Sequence, residues 1–407
     1  MTARSPIFVS ETFVSETMDA ITAQAGATIR HARGQRPVML AQSWEQMRAL
    51  ERDWKQLAAV SSSPNPFLGW EWQCAWVETA APSPQPLIAA EAFADGSLAG
   101  LLALQRVRRR GLVVIEFLGQ GSDADDLDCL LHPHAPPETA ARLLRAAVQR
   151  GRPDLIHLAG VRQLGAVACA ATAGACGGVD AEVGEWMPYL SLPESFDAFL
   201  GTQSANFRAE IRRRRRRLEQ AAPGAVLVQA TTPQAVSAGM EDLFRLHNLR
   251  RAQKHSRGLF QSPALRRFHL QAATALAARG AARLYLLRQQ KHTIAALYGL
   301  EAGGRFLYFQ SGFDPEWTHL SPGTVLLSLA IEDCIRRGLH QFDFLRGQET
   351  YKSRWTAEGR GGQTLRAACS WRGRAYMQLR AWRRRRAALA APANARRPQS
   401  GEEGDQQ

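Results

Sequence analysis

The sequence predicts an α/β fold with mixed sheets, built from two copies of one unit. In each copy two helices precede three strands, a helix and a last strand. Two observations predict this. The order α-α-β-β-β-α-β can be read twice along the chain. Both copies also close alike, with Arg150-Gly151 before Leu155-Ile156-His157-Leu158 and Arg337-Gly338 before Phe342-Asp343-Phe344-Leu345. A repeat of about 180 residues fits duplicated domains rather than a solenoid, whose periods are roughly 20–50 residues.

The elements follow from local pattern. Trp44, Met47, Leu50, Trp54 and Leu57 recur at helical spacing behind a capping Ser43. After Ser63-Pro64-Asn65-Pro66 comes a second helix rich in tryptophan, with Trp70, Trp72 and Trp76. Leu87 to Phe93 and Leu98 to Leu104 flank Asp95-Gly96, a hairpin signal. Leu112 to Leu118 is a third strand, and an acidic loop, Ser122 to Asp128, follows it. Glu138 to Arg150 is helical, and Asp154 to Leu158 is extended. In the second copy Ala235 to Gln253 and Pro263 to Arg279 are helices. Arg283 to Leu287, Thr293 to Leu300 and Arg305 to Phe313 are strands. Gly323 to Arg337 is a helix, and Gln341 to Leu345 a strand.

These runs divide the chain into a poorly ordered stretch at 1–37, a unit at 38–195, a basic linker helix at 196–222, a second unit at 223–370, and a basic helix with a disordered tail at 371–407. Between Asn206 and Gln220 the only large apolar residues are Phe207, Ile211 and Leu218, a narrow stripe by which the helix can dock. The tail helix candidate carries Trp371, Met377, Leu379 and Trp382 among its arginines.

The 407 residues are 45% hydrophobic and 22% charged, with a net charge of +14. That excess fits anionic partners: nucleic acid, a phosphorylated cofactor, or an anionic membrane surface. Much of it sits in Arg212 to Arg217 and Arg380 to Arg386. The first run reads as a solvated linker helix, as a holder for a nucleotide sugar, lipid phosphate or tRNA, or as a membrane-surface contact. It lacks interleaved aromatics, and no DNA-reading motif is present. The six cysteines form no Cys-x-x-Cys and have no histidine at zinc spacing, so no metal is expected and they read as buried or free thiols in a reducing compartment. With no signal-peptide core and no spanning segment, the expected location is cytoplasmic, with a peripheral inner-membrane position left open.

The stretch from Phe342 to Trp355 is the most informative. It begins as an apolar strand and then places Asp343, Arg346, Glu349, Tyr351, Lys352 and Arg354 around Gly347. Ser321-Pro322-Gly323-Thr324 opens a long apolar helix just before it. A helix N-terminus beside such a strand end suits an anionic cofactor.

Five groups of residues together resemble one known family. They are Gly312-Phe313-Asp314-Pro315, Ser321-Pro322-Gly323, Asp343-Phe344-Leu345-Arg346-Gly347, Tyr351-Lys352 and Trp355. The family is that of the BioF2-like or CelD-like GNAT acetyltransferases, relatives of the Fem peptidyltransferases. Asn65-Pro66-Phe67 with Trp70 and Trp76, and Phe117-Leu118-Gly119 before the acidic loop, add to the likeness, which spans roughly residues 40 to 370. The resemblance implies a tandem GNAT fold and an enzyme, an N- or O-acetyltransferase. It would move an acyl group from acyl-CoA to an amine or hydroxyl of a small molecule or a polysaccharide precursor. Two alternatives stand beside it: an aminoacyl-tRNA-dependent transferase, and a non-catalytic accessory protein of polysaccharide biosynthesis.

In GNAT enzymes the donor's pyrophosphate lies at the start of the helix after the central strands, so the resemblance assigns Ser321, Gly323 and Thr324 to it. The usual glycine-rich motif is reduced here to one glycine. Gln310 and Ser311, before Gly312, mark where a splayed strand would offer a backbone N–H to the oxyanion; the alternative is a plain strand end. Asp343 is either a general base, a substrate-binding group, or a partner for Arg346 or Lys352. Glu349 is the other candidate base. Tyr351 would protonate the leaving thiolate, or pack on Trp355. Lys352 and Arg346 would bind anionic parts of the substrates. His247 either faces an acceptor cleft between the halves or lies on a helix surface. Asp126 and its neighbours Asp123, Asp125 and Asp128 either bind a cation or the acceptor, or form a solvated loop.

Overall fold

The computed structural model describes residues 37–80, 85–253, 259–347 and 349–390. The stretches 1–36 and 391–407, and with them most of what the sequence assigns to disorder, lie outside the described residues.

The first unit begins with a short strand β1 (Met39–Ala41) and two helices joined at Leu50, α1 (Trp44–Ala49) and α2 (Glu51–Val60). Ser43 caps α1 by accepting from the Gln46 amide. A 3-10 turn (Pro66–Leu68) leads into α3 (Trp70–Thr79), and β2 (Pro86–Ala92), β3 (Leu98–Arg109), β4 (Leu112–Phe117) and the short β5 (Leu130–Leu131) follow. Then come α4 (Thr139–Gly151), β6 (Leu155–Arg162), α5 (Ala166–Thr172) and a long strand β7 (Val179–Ser191).

Two helices, α6 (Phe196–Thr202) and the arginine-rich α7 (Ala205–Ala221), bridge to the second unit. That unit contains β8 (Ala225–Ala230), α8 (Pro233–Gln253), α9 (Pro263–Ala277), β9 (Ala282–Gln289), β10 (His292–Ala302) and β11 (Arg305–Phe313). After them come α10 (Pro322–Arg336), β12 (Gln341–Asp343), the short α11 (Thr350–Ser353), β13 (Gly359–Ala368) and the tail helix α12 (Trp371–Ala390). The two-fold reading of helices and strands is thus present, with β1, β5, α5, β7, β8 and β13 among the elements added to it.

The strands form one sheet, in the order β1-β2-β3-β4-β6-β13-β7-β12-β11-β10-β9-β8, with β5 on β3. The halves exchange their last strands. β13 enters the first unit and pairs antiparallel with both β6 and β7, while β7 pairs with β12 of the second unit.

One face of the sheet is covered by helices of both halves, and its core is continuous across them. Trp72 on α3 meets Phe268 on α9 at 4.9 Å and Phe309 on β11 at 5.5 Å, both edge-on, which suits the ring quadrupoles. On the other face α6, α7 and α10 cover the second unit. There Phe207, Ile211 and Leu218 of α7 are buried, so the apolar stripe of this basic helix does dock. Over the first unit that face carries only a small cluster, Leu112, Val114 and Leu155, closed by Tyr376 and Met377 of α12.

Candidate functional site

The second unit opens where two parallel strands part. β11 pairs with β12 at Arg305, Phe306 and Leu307, opposite Gln341, Phe342 and Asp343. There β12 ends, while β11 runs on to Phe313. On its other side the register of β11 with β10 shifts between Tyr298 and Gly299, which leaves Phe309 without a partner residue. A bulge of this kind bends a strand and frees a backbone group, as sites at sheet edges require. It falls one residue before the Gln310-Ser311 pair singled out in the sequence.

The first unit has the same parting of β4 from β6 after Ile115 and Ile156, and there its own acidic loop fills the gap. Leu127 bridges Val161, its amide donating to Gly160 O at 2.8 Å while Arg162 N donates to Leu127 O at 3.0 Å. Among the described residues no such loop fills the opening of the second unit.

Beside that opening stands the start of α10. Ser321 has a left-handed backbone (φ 51°) that turns the chain into the helix, and Pro322 occupies the first turn. The Ser321 carbonyl accepts from the Thr324 and Val325 amides, and Pro322 has no N–H, so the Gly323 amide is left as the open donor of the turn. A Cβ on Gly323 would approach the Phe313 ring to 3.3 Å, so the helix start sits directly against the end of β11.

The arginine run supplies what the missing glycines do not. Arg214 donates to Thr324 Oγ1 at 3.1 Å. Arg215 donates to Ser328 Oγ at 2.9 Å and pairs with Glu332 at 2.6 Å. Glu210 pairs with Arg214 at 2.5 Å and also with Arg354, which follows α11. Burial, and then the neighbouring Arg354, Arg213 and Arg217, pull the Arg214 guanidinium below its usual range. Positive charge beside a helix N-terminus suits an anion on two counts. Arg212, Arg213, Arg216 and Arg217 face outward.

The other wall is a chain of hydroxyls. Tyr308 and Ser311 on β11 share a hydrogen bond at 2.5 Å, and the Tyr351 phenol lies beside Tyr308. Burial, reinforced by Tyr308, raises the Tyr351 phenol well above its ordinary range, so at neutral pH it carries its proton. Tyr351 does not form a ring pair with Trp355, which stacks instead on Phe199 and meets Phe207 edge-on.

Lys352 is buried, donates to Arg346 O at 2.8 Å and pairs with the half-exposed Glu349 at 2.9 Å. Gly347 makes this possible. Its φ is 126°, and a side chain there would collide with Glu349 and Lys352.

Asp343 is fully buried, and its partner is neither Arg346 nor Lys352. It accepts from the Leu345 amide at 2.8 Å and from Arg360, on β13, at 2.5 Å. Arg346 turns to the first unit, pairing with Asp123 at 2.7 Å and Asp125 at 3.3 Å. Asp126 is enclosed by Arg162 at 2.7 Å and Arg360 at 3.4 Å. Burial opposes its charge, yet these cations hold its carboxyl below the usual range. Asp128 accepts from the Ala166 and Val167 amides and caps α5. Burial outweighs Arg346 at Asp125, whose carboxyl is pushed up to about 7. The acidic loop is therefore neither solvated nor free: it is an ionic joint between the halves. Asn65 fixes it by donating to Asp125 O and Asp126 O, which gives the Asn65-Pro66-Phe67 motif a physical role.

His247 points away from the helix surface, into the shared core. Gly312 lets α8 lie against β11, since a Cβ there would stand 2.5 Å from His247 N. The His247 ring meets Phe260 at 4.8 Å, and Phe260 meets His269 at 5.3 Å. Neither nitrogen of either histidine has a hydrogen-bond partner among the described residues. Burial lowers His247 to about 4 and His269 to about 3, so both are neutral near pH 7. One turn beyond His247, Arg250 lies over the Phe313 ring at 4.9 Å, at the same strand end as Gly323.

The structure thus brings Ser311, Ser321, Gly323, Thr324 and Tyr351 to one opening, with Glu349 and Lys352 in the loop that leads into α11. It sets Asp343, Arg346 and Asp126 in the ionic joint and His247 in the core. Sequence reasoning did not single out Arg250, Tyr308 or Arg360, and took Arg214 and Arg354 only as members of the arginine run and of the polar stretch after β12. Arg214 had a signal, lying three residues after Ile211 and so on the docked side of α7.

Residues 205–353 match the family model described as acetyltransferase (GNAT) domain. No curated protein matches the chain at a significant level. Among solved structures, FemX is similar in fold at 10% sequence identity and a TM-score of 0.56, covering 78% of this chain and 95% of that one. A conserved protein of unknown function from Bacteroides thetaiotaomicron has 9% identity and a TM-score of 0.52, covering 78% of this chain and 96% of that one. A tandem GNAT protein from the clavulanic acid biosynthesis pathway has 13% identity and a TM-score of 0.42, covering 82% and 99%. Residues 205–353 of this chain thus carry a match to the GNAT acetyltransferase domain, within an overall fold similar to that of FemX.

Proposed function

We propose that the chain is an acyl-CoA-dependent acyltransferase that moves an acyl group, in the first instance acetyl, to an amine or hydroxyl of a small molecule or cell-envelope saccharide precursor. One observation carries the reading. The start of α10, with its open Gly323 amide and the Arg214 guanidinium, stands at the parting of β11 from β12, beside a row of hydroxyls. The cations and the amide suit a pyrophosphate. The parted strands suit a thioester arm, and the bulge at Phe309 suits an oxyanion.

The acceptor's nucleophile attacks the thioester carbonyl and loses its proton to a base, for which Glu349 is the accessible carboxylate. The C–S bond breaks as the tetrahedral centre collapses, and the thiolate takes a proton from Tyr351. Tyr351 carries the proton for that donation. Its raised phenol is a weak acid, so the transfer accompanies C–S cleavage, and the proton taken up by Glu349 returns to the phenolate through solvent. Tyr308, itself hydrogen-bonded to Ser311, lies beside the Tyr351 phenol.

Thermal unfolding with acetyl-CoA and, separately, with tRNA tests the reading. At a ligand concentration of 100 times Kd the stabilisation is about 2.7 kcal/mol, a shift of a few degrees. Acetyl-CoA is expected to give that shift, and Gly323→Trp to abolish it by displacing Phe313 from the helix start. A shift with tRNA alone supports an aminoacyl-tRNA donor, in line with the outward Arg212, Arg213, Arg216 and Arg217. No shift with either supports the accessory role.

A further inference from the structure

The geometry points to a second surface of the protein, the outward face of α12, as a docking face for an anionic lipid bilayer. The helix is fastened to the body on one side only. Tyr376 and Met377 close the small core over β4 and β6. Arg380 and Arg384 pair with Glu182 on β7, and Arg372 donates to Gly111 O. At 100° per residue, positions 373, 376, 377, 380 and 384 share that side.

The opposite side is centred on Trp371, Ala375, Gln378 and Trp382, with Leu379 and Arg386 along one margin and Arg374 and Arg385 along the other. Trp371 is 72% exposed, Trp382 51% and Leu379 45%. Single exposed apolar residues are ordinary on a protein surface, but two indoles and a leucine on one helix face form a stripe. Arg374, Arg383, Arg385 and Arg386 are exposed and have no carboxylate partner among the described residues, and the Arg386 guanidinium lies over the Trp382 ring at 4.8 Å.

This combination selects the partner. A partner that offers phosphate charge alone would be matched by arginines and gives no reason for exposed indoles on the stripe. A bilayer interface accounts for both: indoles settle at the headgroup level, and guanidinium groups meet lipid phosphates around them. Trp371 and Trp382 are eleven positions apart, roughly 16 Å along the axis, so a helix lying flat seats both at one depth. No helix among the described residues is long and apolar enough to cross a membrane, so the contact is interfacial. It is independent of the donor site, since none of these residues belongs to α7, α10 or the hydroxyl chain.

Vesicles of phosphatidylcholine, and vesicles containing about one quarter phosphatidylglycerol, test this with the full chain. The protein should co-sediment with the anionic vesicles at least about ten times more strongly than with the neutral ones, with a blue-shifted tryptophan emission. About 0.5 M salt should weaken that binding. Trp371→Ser with Trp382→Ser should remove the emission shift and most of the binding. Arg383→Gln, Arg385→Gln and Arg386→Gln together should remove the preference for anionic lipid. An unchanged melting temperature in these variants shows that the fold is intact. The proposal is overturned if the protein stays in the supernatant with both vesicle types. It is equally overturned if binding survives the tryptophan variants, or if the same variants weaken binding to an oligonucleotide while vesicles are not bound.

Discussion

Two acidic and phenolic side chains separated by eight positions have opposite fates, and their surroundings decide which. Asp343 is buried between the Leu345 amide and Arg360. A carboxylate so paired ties the end of β12 to β13, and removal of one partner of such a pair costs about 3–5 kcal/mol. Tyr351 is buried beside other hydroxyls and keeps its proton. Tyr351→Phe should therefore lower kcat about 100-fold with little change in KM and no loss of melting temperature, measured by steady-state release of free thiol. A variant at full rate would remove the hydroxyl chain from the chemistry. Much of this loop was legible in the sequence, because a strand that turns polar around a glycine announces a site. The partners were not legible. Arg360 reaches Asp343 from a strand whose Gly359-Arg360-Gly361-Gly362 opening reads as a turn, and Arg346 reaches an acidic loop more than two hundred residues earlier in the chain.

Helices and strands differ in how openly they declared themselves. The amphipathic helices and the apolar strands β2, β4, β9 and β11 were legible because each buries a face that its periodicity reveals. β7 and β13 were not. Their charged and glycine residues are tolerated because both strands are paired on two sides, so the ladder, not side-chain burial, holds them. Between α8 and α9 the packing places His247 and His269 in the shared core, neutral and without hydrogen-bond partners. Their folded pKa values, about 4 and 3, lie below the ordinary 6.5. Their contribution to stability is thus fully present above about pH 6.5 and is lost as pH falls toward 4 and then 3. The loss is about 1.4 kcal/mol per pH unit for each histidine. His269→Leu, which removes two unsatisfied nitrogens, should leave stability near pH 7 unchanged or raised and flatten this acid limb, as followed by urea unfolding from pH 7 to 4.5. An acid limb as steep as that of the parent chain would contradict the burial of a neutral imidazole there.

At the scale of the whole molecule the two units are not beads on a string. They share a sheet, a core that spans both, and an ionic joint of Asp123, Asp125 and Asp126 with Arg346, Arg360 and Arg162. Unfolding should therefore be one transition. Tryptophan fluorescence, weighted toward Trp54, Trp70, Trp72 and Trp76 in the first unit, should fall together with far-UV circular dichroism, which reports both. Two separated midpoints would show that the halves melt independently.

The exchange of last strands also sets a clock for synthesis. The first unit leaves the ribosome with a vacant lane between β6 and β7, and the strand that fills it is encoded roughly 170 residues later. At roughly 5–20 residues per second that lane stays open for about ten to thirty seconds. For that time two strand edges are bare, and bare edges recruit foreign strands. The charged residues of β7, Asp180, Glu182 and Glu185, lie along one of those edges, where their charge opposes premature pairing until Arg366 arrives to meet Glu182.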